Sequence, residues 1–172
     1  SALIGMELTV KGEEHLWSQR PAVFVFNHQS KADVIIVAKL LRRDIAGVGK
    51  QEIKKETPIL GKVLELGGVV FIDRANAKNA IESMAPLVDA MKHEGKSVVL
   101  APEGTRTVSP RLAPFKKGIE RIVSARPTEV VPVAIEGLWG SIFSRRRPRR
   151  GRTLRPRLEL AAGPAIAPHE VR

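Results

Sequence analysis

Seven short apolar runs, separated by longer segments of helical pattern, constrain this chain more than any other feature of its sequence. They are Glu7–Val10, Ala22–Phe26, Ile45–Val48, Gly68–Ile72, Ser97–Ala101, Val130–Ile135 and Leu158–Ala161. Runs of this length read as strands, and several are apolar without alternation, which marks strands covered on both faces. Helical periodicity falls between them, at Asp33–Arg43, Gln51–Leu66, about Asn76–His93, and Phe115–Ala125. Pro58 and Gly61 are expected to break the second helix. Pro86 is expected to kink the third, whose Ile81, Met84, Val88 and Met91 form one apolar stripe. Strands alternating with helices predict an α/β layer fold. The expectation is a single domain, residues 1–172, with a mostly parallel or mixed central sheet flanked by helices. In such folds, ligands gather where strands end and helices begin.

The 172 residues suffice for one core, and 43% hydrophobic with 27% charged residues is globular rather than disordered composition. The absence of cysteine excludes disulfides, thiolate metal sites and a cysteine nucleophile. His15, His28, His93 and His169 show no ligand spacing, so no metal is expected, and no cofactor is expected either. No run of 18 apolar residues predicts a membrane span. The start Ser-Ala-Leu-Ile-Gly, without an initiator methionine or a signal-peptide pattern, reads as an excised domain or a processed product.

The formal charge of +11 is unevenly placed. Residues 145–157, RRRPRRGRTLRPR, hold eight arginines and no acid, so 11 − 8 leaves only +3 for the rest. This segment reads either as a solvated loop or as a contact surface for an anionic partner, nucleic acid or phospholipid headgroups. With Trp139 and Phe143 just before it, it suits an interfacial anchor on an anionic membrane surface. Aromatics are 4%, tyrosine is absent, and no nucleic-acid-binding motif is visible, so no specific nucleic-acid partner is expected.

Three strand ends carry chemistry. NHQSKAD, Asn27–Asp33, follows the run VFVF; a carboxylate at the helix start is favoured there and could hold one imidazole nitrogen of His28. Ser30 and Asp33 also have capping-box spacing, so Asp33 equally suits closing the helix. GGVVFIDR, Gly67–Arg74, ends in an Asp-Arg pair that suits either anion binding or a surface turn. VVLAPEGTRT, Val98–Thr107, ends in Pro-Glu-Gly and Arg106: a plain turn, or a glycine that lets backbone amides approach an anion.

Taken in order, H-x-x-x-x-D, F-I-D-R and P-E-G-T-R resemble the motifs of the glycerolipid acyltransferase family, best known for its 1-acylglycerol-3-phosphate (lysophosphatidic acid) acyltransferases. VVPVAI, Val130–Ile135, is similar to its fourth motif, and PFKKG, Pro114–Gly118, to a basic turn; together they span about Lys11 to Ser144. The resemblance implies a glycerol-3-phosphate acyltransferase-like fold. It implies His28 as general base, with Asp33 orienting it. Arg74 and Arg106 would bind the acceptor's phosphate, Glu103, Gly104 and Thr105 would shape the same site, and Lys50 in VGKQEI would reach phosphate. Pro132 would be structural or line the acyl site.

The implied reaction moves an acyl group from acyl-CoA or acyl-carrier protein to the free glycerol hydroxyl of a lysophospholipid. The acceptor expected first is 1-acylglycerol-3-phosphate, in phospholipid biosynthesis at the cytoplasmic face of a membrane. GLWGSIFSR, Gly137–Arg145, is closer to the branch that acylates lysophosphatidylethanolamine, which stands as the alternative acceptor. Many members carry a hydrophobic helix or hairpin ahead of the first motif, and the residues before His28 here hold none. With no G-x-S-x-G elbow, direct attack without an acyl-enzyme is expected, a backbone amide near the motifs holding the oxyanion. The reading from another class is a basic nucleic-acid-binding module without catalysis, which would have no use for His28.

Overall fold

The computed structural model describes residues 2–3, 6–30, 32–56, 58–72, 82, 84–109, 111–141, 144 and 156–171. Eight strands form one sheet: β1 (Ala2–Leu3), β2 (Met6–Lys11), β3 (Val23–Phe26), β4 (Ile45–Lys50), β5 (Val69–Ile72), β6 (Ser97–Leu100), β7 (Val130–Glu136) and β8 (Arg157–Ala162). Their order is β1-β2-β8-β7-β3-β6-β4-β5. The block β7-β3-β6-β4-β5 is parallel throughout. β8 runs antiparallel to β7 and parallel to β2, so the sheet is mixed, as expected.

Among the described residues, the named α-helices are α1 (Ala32–Leu41), α2 (Gln51–Glu56), α3 (Pro58–Leu66), α4 (Ala85–His93) and α5 (Gly118–Ala125). The core splits into two layers along the alternation of β3. Phe24 and Phe26 join Ile36, Val37 and Leu41 of α1 on one face, with Val131 and Val133 of β7. Val23 faces the other side, against Leu87 and Met91 of α4 and Ile119 and Ile122 of α5. β3 is buried on both faces, which is why VFVF reads as an apolar block rather than an alternating one.

Three helix boundaries depart from expectation. The Gln51–Leu66 segment divides at Glu56 and Pro58, but Gly61 continues the helix instead of breaking it. A Cβ there would come 2.9 Å from Lys54 Cα, so this glycine permits close packing of α2 on α3. Pro86 lies in the first turn of α4, where no intrahelical N–H is needed. The earlier part of that expected helix, through Ile81, falls outside the described residues. Phe115 precedes α5 because the Lys116 amide is drawn back to the Pro102 carbonyl at 2.7 Å.

Arg20, just before β3, holds the far end of α1. Its guanidinium donates to the carbonyls of Leu41 (3.0 Å) and Arg43 (2.9 Å), and its Nε to Leu16 at 3.1 Å. It also lies 4.4 Å from the centre of the Trp17 ring. Replacing it removes donors from carbonyls at the end of the helix that carries Asp33. Arg20→Met, which keeps much of the apolar stem, is expected to cost about 1–3 kcal/mol in urea denaturation; an unchanged midpoint would refute this.

Candidate active site

All strands of the parallel block end at one edge of the sheet, and β3 lies between β7 and β6. The chain leaving β3 therefore emerges with a neighbouring strand on either hand. On the β7 side, Asn27 extends the ladder with its side chain: Nδ2 donates to the Ile135 carbonyl at 2.8 Å, and the Ile135 amide donates to Oδ1 at 2.7 Å. On the β6 side, the His28 amide donates to Oε1 of Glu103 at 3.2 Å. The His28 carbonyl accepts the Thr107 amide at 2.7 Å. Residues 27 and 28 are thus clamped from both sides before the chain turns into α1.

The imidazole is fixed next. His28 Nδ1 lies 3.0 Å from Oδ2 of Asp33, in the first turn of α1. The same oxygen accepts the backbone amides of Gln29 (2.6 Å) and Ser30 (2.8 Å), and the Asp33 side chain is fully buried. With a carboxylate oxygen as the acceptor, Nδ1 is the donor, and in the neutral ring the lone pair then lies on Nε2. The ring remains 19% exposed and packs edge-on against Phe26, with centroids 5.8 Å apart. The two readings of Asp33, closing the turn and holding the histidine, are both realised, by one atom.

Glu103 is 1% exposed, and both of its oxygens receive backbone amides: His28 on Oε1 and Ala113 on Oε2, the latter at 2.7 Å. It ties the loop after β6 to the end of β3. The Gly104 amide donates to the Ala101 carbonyl at 3.0 Å, forming a Pro-Glu turn in which Gly104 takes φ 72°. Thr105 is exposed and Arg106 half-buried on the same loop. Since Thr107 is bonded to His28, Arg106 stands one residue from that contact. Lys50 ends β4, two strands from β3, roughly 10 Å away at normal strand spacing, and is exposed at the same edge.

β5 brings the chain to this edge at Ile72, three strands from β3. Arg74 and Asp73 fall outside the described residues, as do Arg145–Arg155 of the arginine-rich segment. Pro132 sits within β7, half-buried, with its carbonyl accepting the Gly163 amide at 2.9 Å. Sequence reasoning missed Asn27, although a side-chain amide just beyond an apolar strand is the available signal. Ser30 is buried, and its Oγ accepts the Ala32 amide at 2.9 Å.

The parallel α/β block thus carries an Asp–His pair at its strand ends, its aspartate buried, next to a Pro-Glu-Gly-Thr-Arg loop. A family profile described as Acyltransferase matches residues 7–136, and the chain belongs to that family. An uncharacterised acyltransferase of Schizosaccharomyces pombe is 32% identical over 83% of this chain and 51% of its own length. Human 1-acyl-sn-glycerol-3-phosphate acyltransferase beta is 35% identical over 75% of this chain and 46% of its own. The chain thus spans about half the length of these relatives. In fold it is similar to the crystal structure of the 1-acyl-sn-glycerophosphate acyltransferase PlsC of Thermotoga maritima. That match has a TM-score of 0.75 at 24% identity, covering 95% of this chain and 63% of that one.

The Asn27 clamp is testable without substrate. Asn27→Ala leaves the amide and carbonyl of Ile135 without their partners and is expected to lower stability by about 1–3 kcal/mol. It is also expected to loosen the His28 amide in hydrogen exchange. Native protection at residue 28 in the variant would show that Glu103 and Thr107 suffice.

Proposed function

We propose that this chain is the catalytic domain of an O-acyltransferase that acylates the free glycerol hydroxyl of a lysophospholipid, with 1-acylglycerol-3-phosphate as acceptor in phospholipid biosynthesis. The observation that carries the reading is the His28 Nδ1 contact with buried Asp33, at a strand end whose carbonyl is bonded to the Arg106 loop. Family membership and the names of the relatives support the acceptor. Acyl-CoA or acyl-carrier protein is the donor.

In this mechanism Asp33 holds the imidazole in the tautomer that leaves Nε2 basic. Nε2 takes the proton of the acceptor hydroxyl as its oxygen attacks the thioester carbonyl. Collapse of the tetrahedral intermediate expels the thiolate, which takes up a proton as the free thiol. Arg106 and Arg74 bind the acceptor's phosphate, with Lys50 at the rim, and the buried Glu103 holds the loop that presents Gly104, Thr105 and Arg106. Ser30 does not act as a nucleophile, because its hydroxyl is buried and already accepts a backbone amide. The reaction therefore passes through a ternary complex.

The test is thiol release from acyl-CoA, with lysophosphatidic acid and lysophosphatidylethanolamine supplied in parallel. His28→Ala is expected to keep the native circular dichroism spectrum and lose at least about 10²–10⁴-fold in kcat. A folded His28→Ala protein turning over at the wild-type rate would reject the assignment. Arg106→Ala is expected to raise KM for lysophosphatidic acid by about tenfold or more, the value of one charge-assisted contact. Equal KM values for the variant and wild type would remove Arg106 from the phosphate site, and trapping of an acylated serine would overturn direct transfer.

A further inference from the structure

The loop between β6 and α5 has two unlike sides. Inward, it is held by three bonds already described: Thr107 to the His28 carbonyl, Ala113 to Glu103, and Lys116 to the Pro102 carbonyl. Its interior is further tied by Thr107 Oγ1, which donates to the Ser109 carbonyl at 2.8 Å, and by the Arg111 amide, which donates to Ser109 Oγ at 3.2 Å. Outward, the same short stretch exposes Val108, Leu112 and Phe115 at 51%, 62% and 58%. Arg111, Lys116 and Lys117 are exposed beside them, and residues 104–117 contain no acid. Large apolar side chains held this far into water by a well-bonded loop are not a packing remainder; clustered exposure of this kind marks a contact surface.

We infer that this loop is a docking surface for an anionic lipid bilayer, with Val108, Leu112 and Phe115 entering the headgroup–acyl boundary and Arg111, Lys116 and Lys117 contacting lipid phosphates. The interleaving of cations with apolar side chains carries the choice of partner: an anionic leaflet satisfies both at once. The loop lies at the His28 edge of the sheet, so seating it brings the mouth of the site to headgroup depth. A lysophospholipid held in the leaflet offers its glycerol hydroxyl at that depth. This last step rests on the function proposed above; the docking itself does not. The surface is distinct in sequence from the arginine-rich segment at 145–157.

The cysteine-free chain allows a clean probe. Leu112→Cys labelled with an environment-sensitive nitrobenzoxadiazole dye is mixed with vesicles of phosphatidylcholine alone or with phosphatidylglycerol. Glu94→Cys, exposed at the opposite edge beyond α4, serves as control. A blue shift and gain in emission at residue 112 on anionic vesicles, absent at residue 94, is expected. Leu112→Ser/Phe115→Ser is expected to lower vesicle partitioning by roughly tenfold or more. It should also lose activity on vesicle-embedded acceptor while keeping that on a monomeric short-chain lysophosphatidic acid.

A silent probe at residue 112, or unchanged partitioning of the double variant, overturns the proposal. So does a response to an acidic acyl-carrier protein in place of vesicles, which would make the loop a protein-docking surface. An inserted probe on a protein that releases no thiol with either acceptor form leaves the docking surface supported and rejects the proposed reaction instead.

Discussion

Oδ2 of Asp33, on a fully buried side chain, accepts two backbone amides from the turn and faces the imidazole of His28. A buried acceptor surrounded this way must keep its donors, since each one lost would leave a polar group unsatisfied away from water. The bend after β3, the start of α1 and the pose of the ring are therefore set together. The side chain that begins the helix also aims the histidine, so neither feature can drift without disturbing the other. Whatever chemistry this edge of the sheet performs depends on that shared oxygen.

Glu103 repeats the device on the neighbouring loop. Two buried carboxylates hold backbone amides, while Lys50, Lys116 and Lys117 are exposed and Arg106 is half-buried. This is a division of labour between signs of charge. The acids serve the frame, where desolvation is offset by well-placed N–H groups, while the lysines of this edge stay in water. The edge can thus favour anions while containing two carboxylates within a few residues of its centre.

The fold was legible in the sequence where burial is two-sided. VFVF and SVVL are apolar because both faces of the block are covered there, VVPVAI is buried on both faces only at its start and exposes Ala134, and all three are strands. Helix ends were less legible because they depend on contacts remote in sequence: Lys116 answers to Pro102, and Gly61 to Lys54. At the site, the His28–Asp33 contact spans five residues and lay within local reasoning. The clamp from Asn27 to Ile135 spans 108 residues and that from Glu103 to His28 spans 75, so a local pattern can mark the side chain but not its partner. Pro86 shows the same limit, since its place in the first turn of α4 follows from where that helix starts.

The placement of β8 has a bearing on how the molecule assembles. Its residues lie between β2 and β7, with Glu7 opposite Arg157 and Val10 opposite Leu160. During synthesis, the block from β3 to β7 can gather while β2 still lacks a neighbour to join it to the rest. Closing a loop of this size costs entropy before any ladder bond repays it, which favours late joining of β2 to the block through β8. Until then the flank of β7 that β8 will cover is an open edge, a nascent-chain vulnerability that lies beside the histidine-bearing strand.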